Sequence, residues 1–173
     1  VGMGKIGSAV ARRLKPFGVD LIFTNRSPKP DLEEALEAEQ VPFSEIVPRS
    51  DFLCLHVPLT EETHHMVDRD TFRKMKKSAI LINAARGPVV DTDALVTALR
   101  ENWIRAAGLD VTDPEPLPPE HPLYKLENCL ITPHIGSATH HTRRNMASLA
   151  SQNLFAGLEN RKLAHCVNPE VYE

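Results

Sequence analysis

Apolar residues along the chain alternate between short continuous runs and stretches at helical spacing. Ile6, Val10, Leu14 and Phe17 recur every three or four positions, which predicts an amphipathic helix closed by Gly18. Positions 21–24 read as a strand, 31–40 as a helix acidic toward its start, 41–43 as a short strand, and 52–56 as a strand of the buried type. Asp70 is expected to cap a helix running to position 75. Arg73, Lys74, Lys76 and Lys77 gather near its end, where the helix dipole favours cations. Strands are predicted at 79–83, 106–110 and 129–132. A helix opening at Thr92 or Asp93 runs to position 100 with Leu95 and Leu99 on one face, and a longer one covers 142–158.

Strands that alternate with helices imply a parallel sheet covered on both faces. The expected fold class is therefore α/β, a doubly wound parallel sheet of the Rossmann kind. Pro114, Pro116, Pro118, Pro119 and Pro122 interrupt the alternation between two strands, where a helix interior cannot form. A stiff, extended loop with a functional purpose is expected there. The expected division is a first domain over 1–141 and a helix with its tail over 142–173.

Composition narrows the class. A chain of 173 residues can bury one real core, and a formal net charge of −3 argues against a general nucleic-acid binder. Cys54, Cys129 and Cys166 are odd in number and irregular in spacing, as for reduced thiols in a cytosol-like compartment. A cytoplasmic location is expected. The apolar runs are too short to span a bilayer.

The first chemistry appears at once. Gly2-Met3-Gly4-Lys5-Ile6-Gly7 is G-x-G-x-x-G at the mouth of the first predicted helix. Its glycines allow a tight turn, close approach of the backbone to a pyrophosphate, and close packing of helix on strand. The N–H groups and dipole of the helix start then hold the anion. A strand begins roughly 20 residues on, as this dinucleotide fingerprint requires. Such a fingerprint follows a strand, of which Val1 alone stands here. The expectation is a fold that lacks its first strand in this sequence.

The end of the second strand addresses which dinucleotide binds. An acid there would hold the ribose 2′-hydroxyl of NAD. Instead Asn25, Arg26 and Ser27 follow Thr24, with Lys29 beyond. An amide, a guanidinium, a hydroxyl and an ammonium suit a 2′-phosphate, so NADP(H) is expected to be preferred, with NAD(H) possible.

Further candidates fall just past the carboxyl ends of predicted strands: Arg86 after 79–83, Asp110 and Glu115 at and after 106–110, and His134 after 129–132. Ligands of open α/β sheets bind at that edge. Arg86 can fork onto a carboxylate and His134 can exchange a proton near neutral pH. Glu115 beside His134 would favour the imidazolium and orient the ring. The set suits reduction of a 2-keto acid: Arg86 anchors carboxylate and carbonyl, the cofactor delivers hydride, and His134 protonates the forming alkoxide. His64-His65 and His140-His141 are adjacent pairs, and HExxH and G-x-S-x-G motifs are absent, so no metal site and no serine hydrolase is expected.

With these segments in hand, namely 1–7, Asn83 to Gly87, Gly108 to Pro116 and Pro133 to Thr139, the chain resembles the D-isomer-specific 2-hydroxyacid dehydrogenases. It is most similar to the glyoxylate/hydroxypyruvate reductases, through 14–18, 110–112, 114–118 and 134–140. The resemblance implies an Arg–Glu–His active site at Arg86, Glu115 and His134, and Asp110 facing the nicotinamide side. It also implies Pro58, Ala84 and Gly136 along the cofactor, largely through backbone. It implies homodimers and a second, substrate-binding domain made mostly from an N-terminal part that this sequence does not contain. Two other readings stay open: another enzyme of the family, such as a phosphoglycerate dehydrogenase, and a nucleotide-sensing protein like the corepressors that share the fold. The expected partner is a small 2-keto or 2-hydroxy acid, not a nucleic acid or a membrane.

Overall fold

A computed structural model describes residues 1–173. It divides into two compact units, Val1–Pro133 and His134–Glu173.

In the first unit, α1 (Lys5–Leu14) continues into a 3₁₀ turn at Lys15–Phe17 and ends at Gly18, whose φ of 70° is the left-handed conformation glycine tolerates. β1 (Ile22–Phe23), α2 (Pro30–Leu36) and β2 (Glu39–Gln40) follow, then α3 (Phe43–Arg49) and β3 (Phe52–Leu55). α4 (Arg69–Lys74), β4 (Ile80–Asn83), α5 (Thr92–Arg100), β5 (Ala106–Leu109) and β6 (Cys129–Ile131) complete the unit. Every strand pairing is parallel, in two groups: β1 with β2, and the order β3-β4-β5-β6. Between the groups, Val1 N donates to the Cys54 carbonyl at 2.7 Å, His56 N–H to the Val1 carbonyl at 2.8 Å, and Gly2 N–H to the Thr24 carbonyl at 2.9 Å. Strand order and helix alternation match the expected doubly wound α/β class. The expected proline-rich loop lies between β5 and β6, apart from one 3₁₀ turn at Pro122–Lys125.

The main core lies on β3 to β5 and the helices over them: Leu53, Leu55, Leu81, Leu95, Leu99, Phe72 and Ile104 are almost fully buried. Each such side chain contributes roughly 1.5–3 kcal/mol by leaving water. A smaller cluster of Met3, Ala11, Phe23, Leu36 and Ala38 joins α1 and α2 to β1.

Four local expectations need correction. The face that α1 buries is Gly7, Ser8 and Ala11, while Ile6 and Phe17 are 63% and 79% exposed. Small residues bring this helix close to its neighbours, and the apolar stripe lies on the other side. The helix expected over 31–40 stops at Leu36, because Glu37 turns to a φ of 49°. The strand expected at 41–43 is instead Glu39–Gln40, and Phe43 already opens α3. The cap of α4 is Asp68, not Asp70: Asp68 accepts from Thr71 N–H at 2.8 Å.

In the second unit, Thr139 caps α6 (His140–Leu158) by accepting from Thr142 N–H at 3.1 Å. The tail folds back on this helix. Asn153 Nδ2 donates to the His165 carbonyl at 2.9 Å and its Oδ1 accepts from His165 N–H at 3.1 Å. No helix is long and apolar enough to cross a membrane.

Candidate active site

The phosphate loop shows why each glycine stands where it does. Gly2 has a φ of +86°, and a methyl there would lie 2.9 Å from the His56 backbone. A methyl on Gly7 would lie 2.1 Å from the Gly2 carbonyl oxygen. Both are therefore demanded by the chain itself. A methyl on Gly4 would meet nothing within 4 Å. This open side lies at the N-cap of α1, where no side chain caps the helix. The donors and the space suit a pyrophosphate. Lys5 and Ile6, also expected along the cofactor, are exposed in the first turn.

The loop after β1 meets this one. Asn25 Oδ1 accepts from Met3 N–H at 3.1 Å, and its Nδ2 donates to the Ser27 carbonyl at 2.8 Å. Asn25 thus ties the phosphate loop to the ribose loop. Arg26 and Ser27 are exposed and Lys29 is half-buried. One acid outside the strand end comes near: the Glu62 carboxyl is held below its usual range by a hydrogen bond from Thr60 Oγ1 and by its own backbone, with a lesser pull from the Arg26 guanidinium. Reading only the strand end misses Glu62, because it approaches from the loop after β3. Pro58 heads that loop and accepts from Thr63 Oγ1 at 2.7 Å. A cleft of about 460 Å³ lies against Leu59, Thr60, Glu61 and His64.

The loops after β4 and β5 are built against each other. Asn83, 1% exposed, turns the chain at the end of β4: its Oδ1 accepts from Ala85 N–H and its Nδ2 donates to the Arg86 carbonyl, both at 3.0 Å. Ala84 and Arg86 are left exposed, and Arg86 Nη1 donates to the Ala85 carbonyl at 2.6 Å. A methyl on Gly87 would lie 1.8 Å from the Thr112 carbonyl oxygen. Glycine here lets the Arg86 loop press onto the loop that carries Glu115. In that second loop Thr112 N–H points to Glu115 Oε2 at 3.4 Å, and Thr112 Oγ1 donates to the Pro114 carbonyl at 2.8 Å. Its peptides Asp113-Pro114 and Glu115-Pro116 are cis. Asp110 Oδ1 accepts from Thr132 Oγ1 at 2.6 Å, which fixes the carboxylate at the carboxyl ends of β5 and β6.

The first unit therefore gathers the glycine loop, the 25–29 loop, Pro58, Ala84, Arg86, Asp110 and Glu115 at or past the carboxyl ends of its strands. His134 and Gly136 belong to the second unit, which His134 opens three residues after β6. His134 is exposed with a φ of 52°. That left-handed backbone costs a bulky residue on the order of 1–3 kcal/mol and is often found at functional sites. The sequence alone does not mark Asn83, Thr132 or Gly87 as site residues. An asparagine ending a buried strand just before Ala-Ala-Arg-Gly was the available signal for Asn83.

The remaining histidines and cysteines stand apart from this arrangement. His64 and His65 lie in a turn, not a helix, and their rings stack with centroids 4.0 Å apart. No group of three or more His, Cys, Asp or Glu side chains is placed to hold a metal ion. Burial pushes the Cys129 thiol up to about 11 and raises that of Cys54, and all three cysteines are free thiols.

Residues 1–136 match the family model described as the D-isomer specific 2-hydroxyacid dehydrogenase, NAD binding domain. A glyoxylate reductase of Korarchaeum cryptofilum is 49% identical over 171 residues, which is 99% of this chain and 52% of that protein. A crystal structure from Thermus thermophilus superposes with a TM-score of 0.90 at 51% identity, covering 96% of this chain and 51% of the other. The NADPH-dependent glyoxylate/hydroxypyruvate reductase of Sinorhizobium meliloti, solved with NADP and malonate, gives a TM-score of 0.87 at 37% identity, covering 97% and 51%. The chain spans about half the length of the curated relatives it matches.

Proposed function

This chain belongs to the D-isomer-specific 2-hydroxyacid dehydrogenases, and from that premise we propose that its protein reduces glyoxylate or hydroxypyruvate to the 2-hydroxy acid, with NADPH preferred. The observation that carries the reading is the interlock at Gly87, which presses the Arg86 loop onto the Glu115 loop at the sheet edge that also bears the phosphate loop. The exposed Arg26 and Ser27, with no acid at the end of β1, support the choice of NADPH. So does the likeness to a reductase solved with NADP.

The residues divide the work as follows. Gly2, Gly4 and Gly7 with the start of α1 receive the pyrophosphate. Arg26, Ser27 and Lys29 hold the 2′-phosphate. When bound, the nicotinamide supplies the hydride of a two-electron reduction. Arg86 binds the carboxylate of the keto acid and draws electron density toward the carbonyl oxygen. When the carbonyl is reduced, His134 would deliver the proton that completes the hydroxyl. Glu115 is the acid of the catalytic set. Asp110 faces the nicotinamide side. In the oxidative direction His134 takes the proton back.

Steady-state rates of the full-length protein with glyoxylate and hydroxypyruvate, each with NADPH and NADH, test this. Turnover with at least one acid is expected, faster with NADPH. His134→Ala should lower kcat by on the order of 10²–10⁴-fold with a smaller change in KM. Arg86→Ala should damage both. Absence of turnover with every pair would overturn the reaction, and equal efficiency with both cofactors would overturn the role given to Arg26.

A further inference from the structure

We infer that Gln40 is the positioning residue of the cofactor's 2′-phosphate end: from β2 it braces the 25–29 loop so that Arg26, Ser27 and Lys29 are offered in a preset arrangement. The inference rests on the NADPH reading above and deepens it.

The loop has few contacts of its own to define its shape. Arg26, Ser27 and Pro28 are exposed and belong to no regular element. Its backbone is held largely by two side-chain amides. Gln40 Nε2 donates to the Asn25 carbonyl at 3.1 Å and reaches the Ser27 carbonyl at 3.5 Å. Gln40 Oε1 accepts from Lys29 N–H at 3.1 Å. One amide group thus touches the loop at its start, middle and end. Asn25 adds the bond to Ser27 from within the loop and the bond to Met3 of the phosphate loop.

Gln40 is itself well anchored. It pairs with Phe23 in the β1–β2 ladder, and its N–H donates to Glu33 Oε1 at 3.0 Å. Its side chain therefore projects from a fixed backbone. An amide is the one uncharged side chain of this length that both donates and accepts in this way. A carboxylate would lose the donors and bring a negative charge toward the phosphate site. An aliphatic side chain would lose all three contacts.

The consequence falls on binding, and unequally. A loop already in its binding shape does not have to be ordered when the ligand arrives. Only a cofactor with a 2′-phosphate draws on Arg26, Ser27 and Lys29, so only that cofactor benefits. Gln40 has no contact of its own with the phosphate in this account. It acts through the loop.

The test is titration of the full-length protein with NADPH and NADH, following the nucleotide's fluorescence, for wild type, Gln40→Met and Arg26→Ala. Gln40→Met should weaken NADPH binding by about 5- to 10-fold, the scale of one or two lost hydrogen bonds, and NADH binding by less than about 2-fold. Equal weakening of both would show that Gln40 only supports the fold and would overturn the inference. Retention of the full NADPH preference in Gln40→Met, with its loss in Arg26→Ala, would overturn it while leaving the cofactor reading intact. A wild-type protein without NADPH preference would end both. If Gln40→Met does not fold, Gln40→Asn keeps an uncharged amide, shortens its reach to the loop and serves the same comparison.

Discussion

His56 stands where the chain leaves β3, and both of its ring nitrogens are buried without a hydrogen-bond partner. Its ring lies against the phosphate loop, 3.6 Å from where a methyl on Gly7 would sit. Burial lowers its pKa from the usual value. A depressed histidine has a definite sign in the stability balance. The unfolded chain takes up a proton near pH 6.5 that the folded chain resists, so the stabilisation present above that pH is lost as pH falls toward the folded value. Melting temperature should therefore drop on acidification from pH 7.5 to 5.5, and His56→Leu should flatten part of that drop. Parallel profiles for the two proteins would reject this account. The sequence places His56 at the end of a buried-type strand, apart from His64 and His65, but does not reveal its depth under the glycine loop, which is set by contacts from residues 2 and 7. Arg86 and Glu115 were legible for the opposite reason: each directly follows a strand end, and strand ends can be read from apolar runs.

At the scale of elements, the two acidic caps give the sharpest forecast. Asp91 Oδ1 accepts from Ala94 N–H at 3.0 Å at the start of α5, and Asp68 does the same for Thr71 on α4 at 2.8 Å. Replacing either with alanine should cost about 1 kcal/mol, which in a domain of this size lowers the melting temperature by about 2–4 °C. Asp70→Ala should cost clearly less, since Asp70 is a first-turn acid and not the cap. A calorimetric series in which Asp70→Ala costs as much as Asp68→Ala would contradict the assignment. Strands β3 to β6 and helices α1 and α5 were readable, since unbroken apolar runs or strong periodicity mark them, and α6 was readable as a long stretch free of proline and, until Gly157, of glycine. The segment 37–49 was not. Glu37 adopts a left-handed turn that no glycine announces, and Pro42 and Pro48 argue against the helix that nonetheless forms. In α3, Pro48 sits in the last turn of a seven-residue helix, and burial of Ile46 and Val47 outweighs the lost bond.

For the whole molecule, cofactor binding should be visible as stability, without turnover. A ligand that binds only the folded state stabilises it by about 2.7 kcal/mol at a hundred times its dissociation constant. NADPH should raise the melting temperature of the full-length protein by a few degrees, more than NADH at equal concentration. Equal shifts would count against the role of Arg26. Most of what positions the site lies in contacts that join distant parts of the chain, which is why Gln40, Thr132 and Glu62 had no local mark in the sequence. The closest of these contacts is Gly87 against Thr112, with no room for even one carbon between them. Two loops fitted so closely cannot diversify one at a time. A change of length or shape in either demands a matching change in the other, so an engineer who seeks a new substrate range by grafting would have to transplant 84–90 and 110–117 as a single cassette.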